Sequence, residues 1–469
     1  MHINILFPVV TFFVLFMPAI GSVPFLDGNI DFIKSHDFYQ GGFDQLFANW
    51  NSVHPPLKEL LALFAFKSFG FSAFSYTLLG ITTGIIGVAF YYKLANKLFG
   101  AKVAGLASLI LSTSGLFLAV GVFALTDFIL TVLIIITFYF YLHQKHLLLA
   151  LTISLALLTK ETAGVLFIAI LLVETISLLK EAFFKKLKLS SLAQLLLYFL
   201  PFATAIFWNY FLKLNNKNVW QDWSFSETNS KGTLYTIYIN LISSSFLNKY
   251  AYQNWLQVFV LNFNWVYWAV IACGTSIYIF KTILGKQKLT IKLNQKNKTA
   301  AAMVVFFIIY FLAVLSFQTY TIPRYGLPLM PFIFLLFSYF LAKLTNFLSI
   351  PKHITAGLII VFIFMQLFFS LDPVSIYFWK KANVLGEDFY SLNNTLAGND
   401  GLTYNLQYLK IVRLRSKLMS QDCQKVARIS KTDCYWLFPD INNDKKTVTI
   451  LKLNKSCIRK VCTESNNYE

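Results

Sequence analysis

Residues 124–162 read ALTDFILTVLIIITFYFYLHQKHLLLALTISLALLTKET, and they decide the class of the fold. Two apolar runs, 124–142 and 146–158, are separated only by His143, Gln144 and Lys145. Neither run alternates polar and apolar residues, so each reads as helix rather than as a strand of a membrane barrel. Consecutive spans reverse direction, so Asp127 at the start of the first shares a face with the Lys160-Glu161 corner after the second, and Lys145 lies on the other face. A hydrocarbon core of about 30 Å takes roughly 20 helical residues. The 146–158 run is shorter than that and is expected to be tilted or partly re-entrant.

The pattern repeats on both sides of this stretch. Further apolar runs fall at 3–21, 74–98, 100–119, 161–180, 189–213, 258–283, 299–317, 325–345 and 354–371, about eleven in all. The chain has 57% hydrophobic and 13% charged residues and a mean hydropathy of +0.60, whereas soluble proteins carry about 25% charged residues. The expected class is an all-α polytopic membrane bundle of about eleven transmembrane helices. The first run lacks a basic flank and leads directly into further runs, and the loop after it is expected outside.

With the N-terminus cytoplasmic, the lysines sort to one side. Lys93, Lys97, Lys102, Lys145, Lys180, Lys185, Lys186, Lys188, the stretch from Lys281 to Lys298, Lys343 and Lys352 all fall in cytoplasmic loops. The formal charge of +19 is therefore a topology signal rather than a nucleic-acid footprint. The outer face receives the first loop, about 23–56, the region of Asp127, the Lys160-Glu161 corner, a long loop at about 214–257, and Thr319 to Tyr325. The long loop carries Trp220, Trp223, Tyr235, Tyr238 and Trp255, which suit an interfacial belt or contact with carbohydrate.

Two domains are expected: 1–371 in the membrane, and a polar extracytoplasmic tail at 372–469. The tail holds Cys423, Cys434, Cys457 and Cys462, in a compartment where disulfides persist; their pairing is open. Cys273 lies within a span and reads as packing.

Ionisable residues near the apolar layer cost several kcal/mol unless paired or wetted, so their placement is informative. Here they gather on the outer face. Asp27 comes directly after the first run, with Asp31 and Asp37 close behind; His54-Pro55-Pro56-Leu57 opens an apolar helix; Asp127 begins a span; Lys160 and Glu161 separate a pair of runs; and Arg324-Tyr325 opens another span. Ordinary readings exist for each: a solvated helix end for Asp27, a Pro-initiated turn at His54, a structural Lys160-Glu161 ion pair, a headgroup anchor for Arg324 and Tyr325, and a favourable helix dipole at Asp127. No Gly-rich phosphate loop is present, and no tight His, Cys and carboxylate cluster appears at metal-ligand spacing.

Taken in order, HPPL at 54–57 with LLALFAFKSFG after it, KLFG at 97–100, Asp127, LTKET at 158–162 and RYGLPLMP at 324–331 resemble the polyprenyl-phosphate-sugar-dependent glycosyltransferases of the GT-C fold. The resemblance is to the branch of protein O-mannosyltransferases and lipid A aminoarabinose transferases, over about the first 345 residues. It implies an enzyme of the plasma membrane that moves a monosaccharide from a polyprenyl phosphate to a hydroxyl of a lipid, glycan or protein, with inversion, on the extracytoplasmic face. Asp27 would be the base, with Asp31 as its competitor; His54, Lys160 and Arg324 would meet the phosphate; Asp127, Glu161 and Tyr325 would support those cations or the sugar. The lipid-linked sugar is substrate, no cofactor is called for, and a divalent cation is left open. The His at 54, where the lipid A branch tends to carry Lys, argues against a lipid A acceptor.

Two other classes compete. A transporter or flippase of a lipid-linked glycan would carry polar groups at mid-span depth, where this chain is mostly apolar. A scaffold for the exported tail would leave the ordered motifs without a role.

Overall fold

Every apolar run read from the sequence contains helix in the computed structural model. It describes residues 4–22, 31–42 apart from 33 and 37, 54–183, 197–214, 255–284 apart from 257 and 262, 294–315, 323–368, 372–374, 377, 436–439 and 447–451. The helices are α1 (Leu6–Phe16, extended by a 3-10 turn at Met17–Ala19), α2 (Leu57–Phe69), α3 (Ala73–Phe99), α4 (Ala101–Thr113), α5 (Gly115–Val122), α6 (Thr126–Leu142), α7 (His146–Leu157), α8 (Ala163–Phe183), α9 (Phe199–Leu214), α10 (Asn264–Leu284), α11 (Gln295–Tyr310), α12 (Met330–Phe347) and α13 (Lys352–Phe368).

At 27 residues, α3 is about 40 Å long and forms the axis on which α1, α4 and α6 pack. Small residues let its neighbours approach. A Cβ at Gly80 would lie 2.1 Å from the carbonyl oxygen of Gly121, and one at Gly84 would lie 2.1 Å from the Phe12 ring. Close backbone approach of this kind replaces the missing hydrophobic drive between helices in lipid.

Among the described residues, four helical stretches are long and apolar enough to cross a membrane (Ala73–Phe99, Ala163–Lys180, Gln295–Leu315 and Arg324–Phe347), and the α4–α5 pair makes five if taken as one span. The chain is a multi-pass membrane protein. Apolar side chains face outward along these and the shorter helices, including Ile176 and Leu179 on α8, Phe207 on α9 and Leu358 on α13.

Three local expectations change. The run at 100–119 is not one straight helix: α4 and α5 meet at 52°. Ser114 takes an extended backbone there and its hydroxyl accepts from the Phe117 amide at 3.4 Å, starting a new helix. The chain then turns at Ala124, φ +45°, and enters α6 with Asp127 in its first turn. Cys273 lies exposed on the outward side of α10 rather than packed inside. The all-helical expectation also misses an antiparallel pair in the tail, β1 (Trp436–Pro439) and β2 (Thr447–Leu451). Branched and aromatic residues in these two segments favour extended chain over helix.

At the end of the bundle that carries Lys145, a polar network ties α6, α8 and α11 together. The Tyr141 hydroxyl donates to Glu174 Oε1 at 2.5 Å, Lys298 Nζ lies 3.4 Å from Glu174 Oε2, and Gln295 donates to the Tyr141 carbonyl at 2.6 Å. Just past α13, Asp372 accepts from the Phe263 amide at 3.0 Å and the Trp265 indole at 2.9 Å, which fixes the chain against the start of α10. Asp27, Asp37, residues 215–254 and the four tail cysteines lie outside the described residues.

Candidate active site

The site begins at a turn. Pro55 and Pro56 cannot extend a helix backward but suit the start of one, and α2 begins directly after them. Its first amide, Leu57 N–H, donates to the Leu158 carbonyl at 2.9 Å. That bond joins the HPPL turn to the LTKET corner between α7 and α8, a hundred residues later in the chain. On the joint, His54 Nδ1 lies 3.1 Å from Glu161 Oε2, with both side chains about a quarter exposed.

Lys160 points the other way, into the protein. Its ammonium donates to Asp127 Oδ1 at 2.6 Å, and Arg324 Nε lies 3.1 Å from Oδ2 of the same carboxylate, an ion contact rather than an aligned hydrogen bond. Asp127 is fully buried, and the Lys160 and Arg324 side chains are 5% and 8% exposed. Tyr325 closes the group. Its ring centroid is 4.4 Å from the Lys160 ammonium and 5.5 Å from the Arg324 guanidinium, and its carbonyl accepts from the Tyr310 hydroxyl at 3.2 Å.

Local structure explains each placement. Asp127 sits in the first turn of α6, where the positive end of the helix favours a carboxylate. Lys160 is held in the turn by its own amide, bonded to Ala156, and its carbonyl, bonded to Ala163. Arg324 and Tyr325 lie in a 3-10 stretch, Pro323–Leu329, that precedes α12; Pro328 and Pro331 withhold the amides a regular helix would need there. Three segments far apart in sequence thus supply one carboxylate and two cations with a formal sum of +1. A buried pair or triad of this kind stays charged only through close contact between its members.

A second cluster lies near His54. Asp31 forms an ion pair with Lys58 on α2, whose ammonium is fully buried and 5.8 Å from the Tyr76 ring centroid. Burial raises the Asp31 carboxyl, but the Lys58 charge and hydrogen bond outweigh it and hold the group below its ordinary 3.8. A carboxylate so held is a weak base, which bears on Asp31 as the competitor to Asp27. Glu59 is also buried, at 1% exposure, and its Oε2 has no hydrogen-bond partner among the described residues. Burial first, and the nearby Asp31 charge second, push its carboxyl up to about 7.

Of the candidates named from the sequence, His54 and Glu161 come together, Asp127, Lys160, Arg324 and Tyr325 come together, and Asp31 lies on the adjoining pair. Lys58 and Glu59 were not among them. Their signal was present, since a Lys-Glu pair interrupts the apolar helix just after HPPL, but the sequence alone does not show which face of α2 turns inward. Among the described residues no group of three His, Cys, Asp or Glu side chains is placed to hold a metal ion.

Residues 53–208 match the model of a protein family described as dolichyl-phosphate-mannose-protein mannosyltransferase. No curated protein matches the chain. Among solved structures, ArnT from Cupriavidus metallidurans bound to undecaprenyl phosphate is 15% identical, with a TM-score of 0.47 over 72% of this chain and 60% of that one. The archaeal oligosaccharyltransferase AglB from Archaeoglobus fulgidus, in complex with an inhibitory peptide and a dolichol-phosphate, is 11% identical, with a TM-score of 0.46 over 83% of this chain and 58% of that one. The chain thus spans about three fifths of the length of either structure. The resemblance read from the motifs agrees with the family match over that segment: the residues that carry His54, Asp127, Lys160 and Glu161 are similar to a family of lipid-phosphate-sugar-dependent mannosyltransferases.

Proposed function

We propose that this protein is an inverting glycosyltransferase that moves a monosaccharide from a polyprenyl phosphate to a hydroxyl group of a lipid, glycan or protein, at the extracytoplasmic face of the plasma membrane. The observation that supports it is the meeting of Asp127, Lys160 and Arg324 next to the HPPL–LTKET joint. A sugar on a lipid phosphate presents an anion at the membrane boundary, so its enzyme needs fixed cations at that depth and no soluble nucleotide-binding domain.

In this reading Lys160 and Arg324 hold the donor phosphate, with His54 at the rim. Asp127 occupies one of the three ammonium hydrogens of Lys160, so the others remain available in number for an oxyanion. Asp127 and Glu161 orient these cations, and Tyr325 fixes the direction of the Lys160 ammonium. The acceptor oxygen attacks the anomeric carbon opposite the phosphate, the bond from that carbon to the phosphate oxygen breaks, and the electron pair leaves with the phosphate. Charge growing on that oxygen is stabilised by cations already in place, which removes the need for a general acid. The acceptor proton passes to Asp27. Substrates reach the site from the outer leaflet, and the tail at 372–469 is an exported unit in which disulfides would persist.

The test is turnover in membranes supplied with a panel of polyprenyl-phosphate sugars, comparing wild type with Asp27→Asn, Lys160→Met and Arg324→Ala at equal protein level. Product formed by the wild type and lost in all three variants supports the reading. Unchanged turnover in Lys160→Met and Arg324→Ala overturns the phosphate site. Repeating the assay with a chelator shows whether a divalent cation takes part.

A further inference from the structure

Around Asp31, two acids share one fully buried base, Lys58, in a largely buried contact. Segment 31–42 lies on α2 and α3 through an apolar face: the Phe32 ring is 5.8 Å from that of Phe66 and 5.1 Å from that of Tyr76, and Phe38 packs against Leu60 and Leu63. Among the described residues, the titratable groups within that contact are two carboxyls, Asp31 and Glu59, one fully buried ammonium, Lys58, and the buried hydroxyl of Tyr76, whose ring centroid is 5.8 Å from that ammonium. Lys58 is hydrogen-bonded to Asp31, and its charge does not outweigh the burial of Glu59. If Glu59 were also ionised, the contact would enclose a net negative charge with one carboxylate oxygen unpartnered. If Glu59 keeps its proton, the contact is neutral.

We propose that Lys58 and Glu59 are positioning residues which form, with Asp31, a proton-dependent clasp that seats segment 31–42 against α2 beside His54. The geometry supplies the switch without any added ligand. Closed, the clasp joins this stretch of the first loop to the helix whose first amide anchors the LTKET corner. Opening lets water reach Glu59, which then ionises as an ordinary glutamate. Among the described residues, the other titratable groups facing the cluster are Lys34 on the segment itself, His54 just before α2 and the Tyr76 hydroxyl on α3; Lys34 and His54 act on Asp31 in the direction that keeps it ionised, and Lys34 also favours the ionised form of Glu59 without outweighing burial.

The sign comes from linkage. A carboxyl that prefers its proton in the closed form contributes fully to closure below its ordinary 4.5, and that contribution is lost as pH rises to about 7. The clasp is therefore tighter at pH 5 than at pH 8. It stands apart from the glycosyl-transfer reading, because measuring it needs no sugar substrate.

The test is hydrogen–deuterium exchange of the purified full-length protein in detergent at pH 5 and pH 8, corrected for intrinsic exchange rates, with amides of α6 as the control for global folding. Wild-type protection over 31–42 is expected to be about tenfold or more lower at pH 8, with α6 unchanged. Glu59→Gln, which keeps the size and neutrality of the protonated side chain, is expected to hold the segment equally at both pH values. Lys58→Met is expected to lose protection over 31–42 at both. Protection independent of pH in the wild type, or a pH dependence kept in Glu59→Gln, overturns the proposal. Should Lys58→Met also expose α6, Glu59→Gln decides alone, since either of its outcomes supports or overturns the clasp.

Discussion

The two ends of the helical bundle both bury charge, yet they are built differently. At the end that carries the HPPL–LTKET joint, Asp127 is wholly buried between Lys160 and Arg324, at 2.6 and 3.1 Å, and the three residues come from a helix start, a tight turn and a 3-10 segment. At the other end, among the described residues, Glu174 in the body of α8 meets one cation, Lys298, at 3.4 Å, with side chains 18% and 15% exposed, and its partners come from the last turn of α6 and the first turn of α11. The first arrangement collects cations around an acid at a place where the chain changes direction. The second pins three helices to one another. Both arrangements draw on helix ends, so the balance of charge separates them: two cations on one carboxylate leave a surplus for an anionic ligand, whereas one cation on one carboxylate leaves none. Burial of charge by itself therefore does not mark a site; the surplus of one sign does.

Substitutions at the two ends put this contrast at risk. Asp127→Asn leaves two buried cations facing each other without their carboxylate, and removing one member of a buried charge pair costs about 3–5 kcal/mol. It should give the largest loss of thermal stability in detergent of the variants named here, together with loss of turnover. Lys160→Met keeps the Asp127–Arg324 contact and the apolar stem. Its effect should fall on the ligand: affinity for a polyprenyl phosphate should drop about 10- to 100-fold by titration, in line with about 1.5–3 kcal/mol for a hydrogen bond to a charged group, with a smaller fall in stability than Asp127→Asn. Glu174→Gln and Tyr141→Phe remove hydrogen bonds at the opposite end. Each should cost about 1 kcal/mol in unfolding and leave turnover and lipid-phosphate binding unchanged. His54→Gln removes a quarter-exposed contact to Glu161 and should have the smallest effect on stability, below about 1 kcal/mol, while weakening lipid-phosphate binding. Equal losses of binding from Glu174→Gln and Lys160→Met would erase the distinction between the two ends.

Much of this was legible in advance because the lipid bilayer constrains sequence so strongly. Apolar runs and the positions of the lysines give helices and their alternation, and the order of HPPL, Asp127, LTKET and RYGLP points to one face. The bend at Ser114 was not legible, because the residues on both sides are apolar and only the cap at Ser114 reveals two helices. Glu59 was hidden for a related reason: a charged pair on a short helix reads as solvated until its neighbours are known, and here both side chains turn inward. Asp372 looked like the first residue of a polar tail, yet its carboxylate is bonded to Phe263 and Trp265.

The order of residues was enough for the helical class, the membrane setting and which residues can carry charge near the lipid boundary, because an unpaired polar backbone and a stray charge are both expensive in hydrocarbon. Which charges meet was settled by the packed fold. The pairing of Asp127 with Lys160 and Arg324, of His54 with Glu161, and of Asp31 with Lys58 spans from 27 to nearly 200 residues of chain. An ion contact depends on distances of a few ångströms, which are set by helix packing, and no local preference of the chain encodes them.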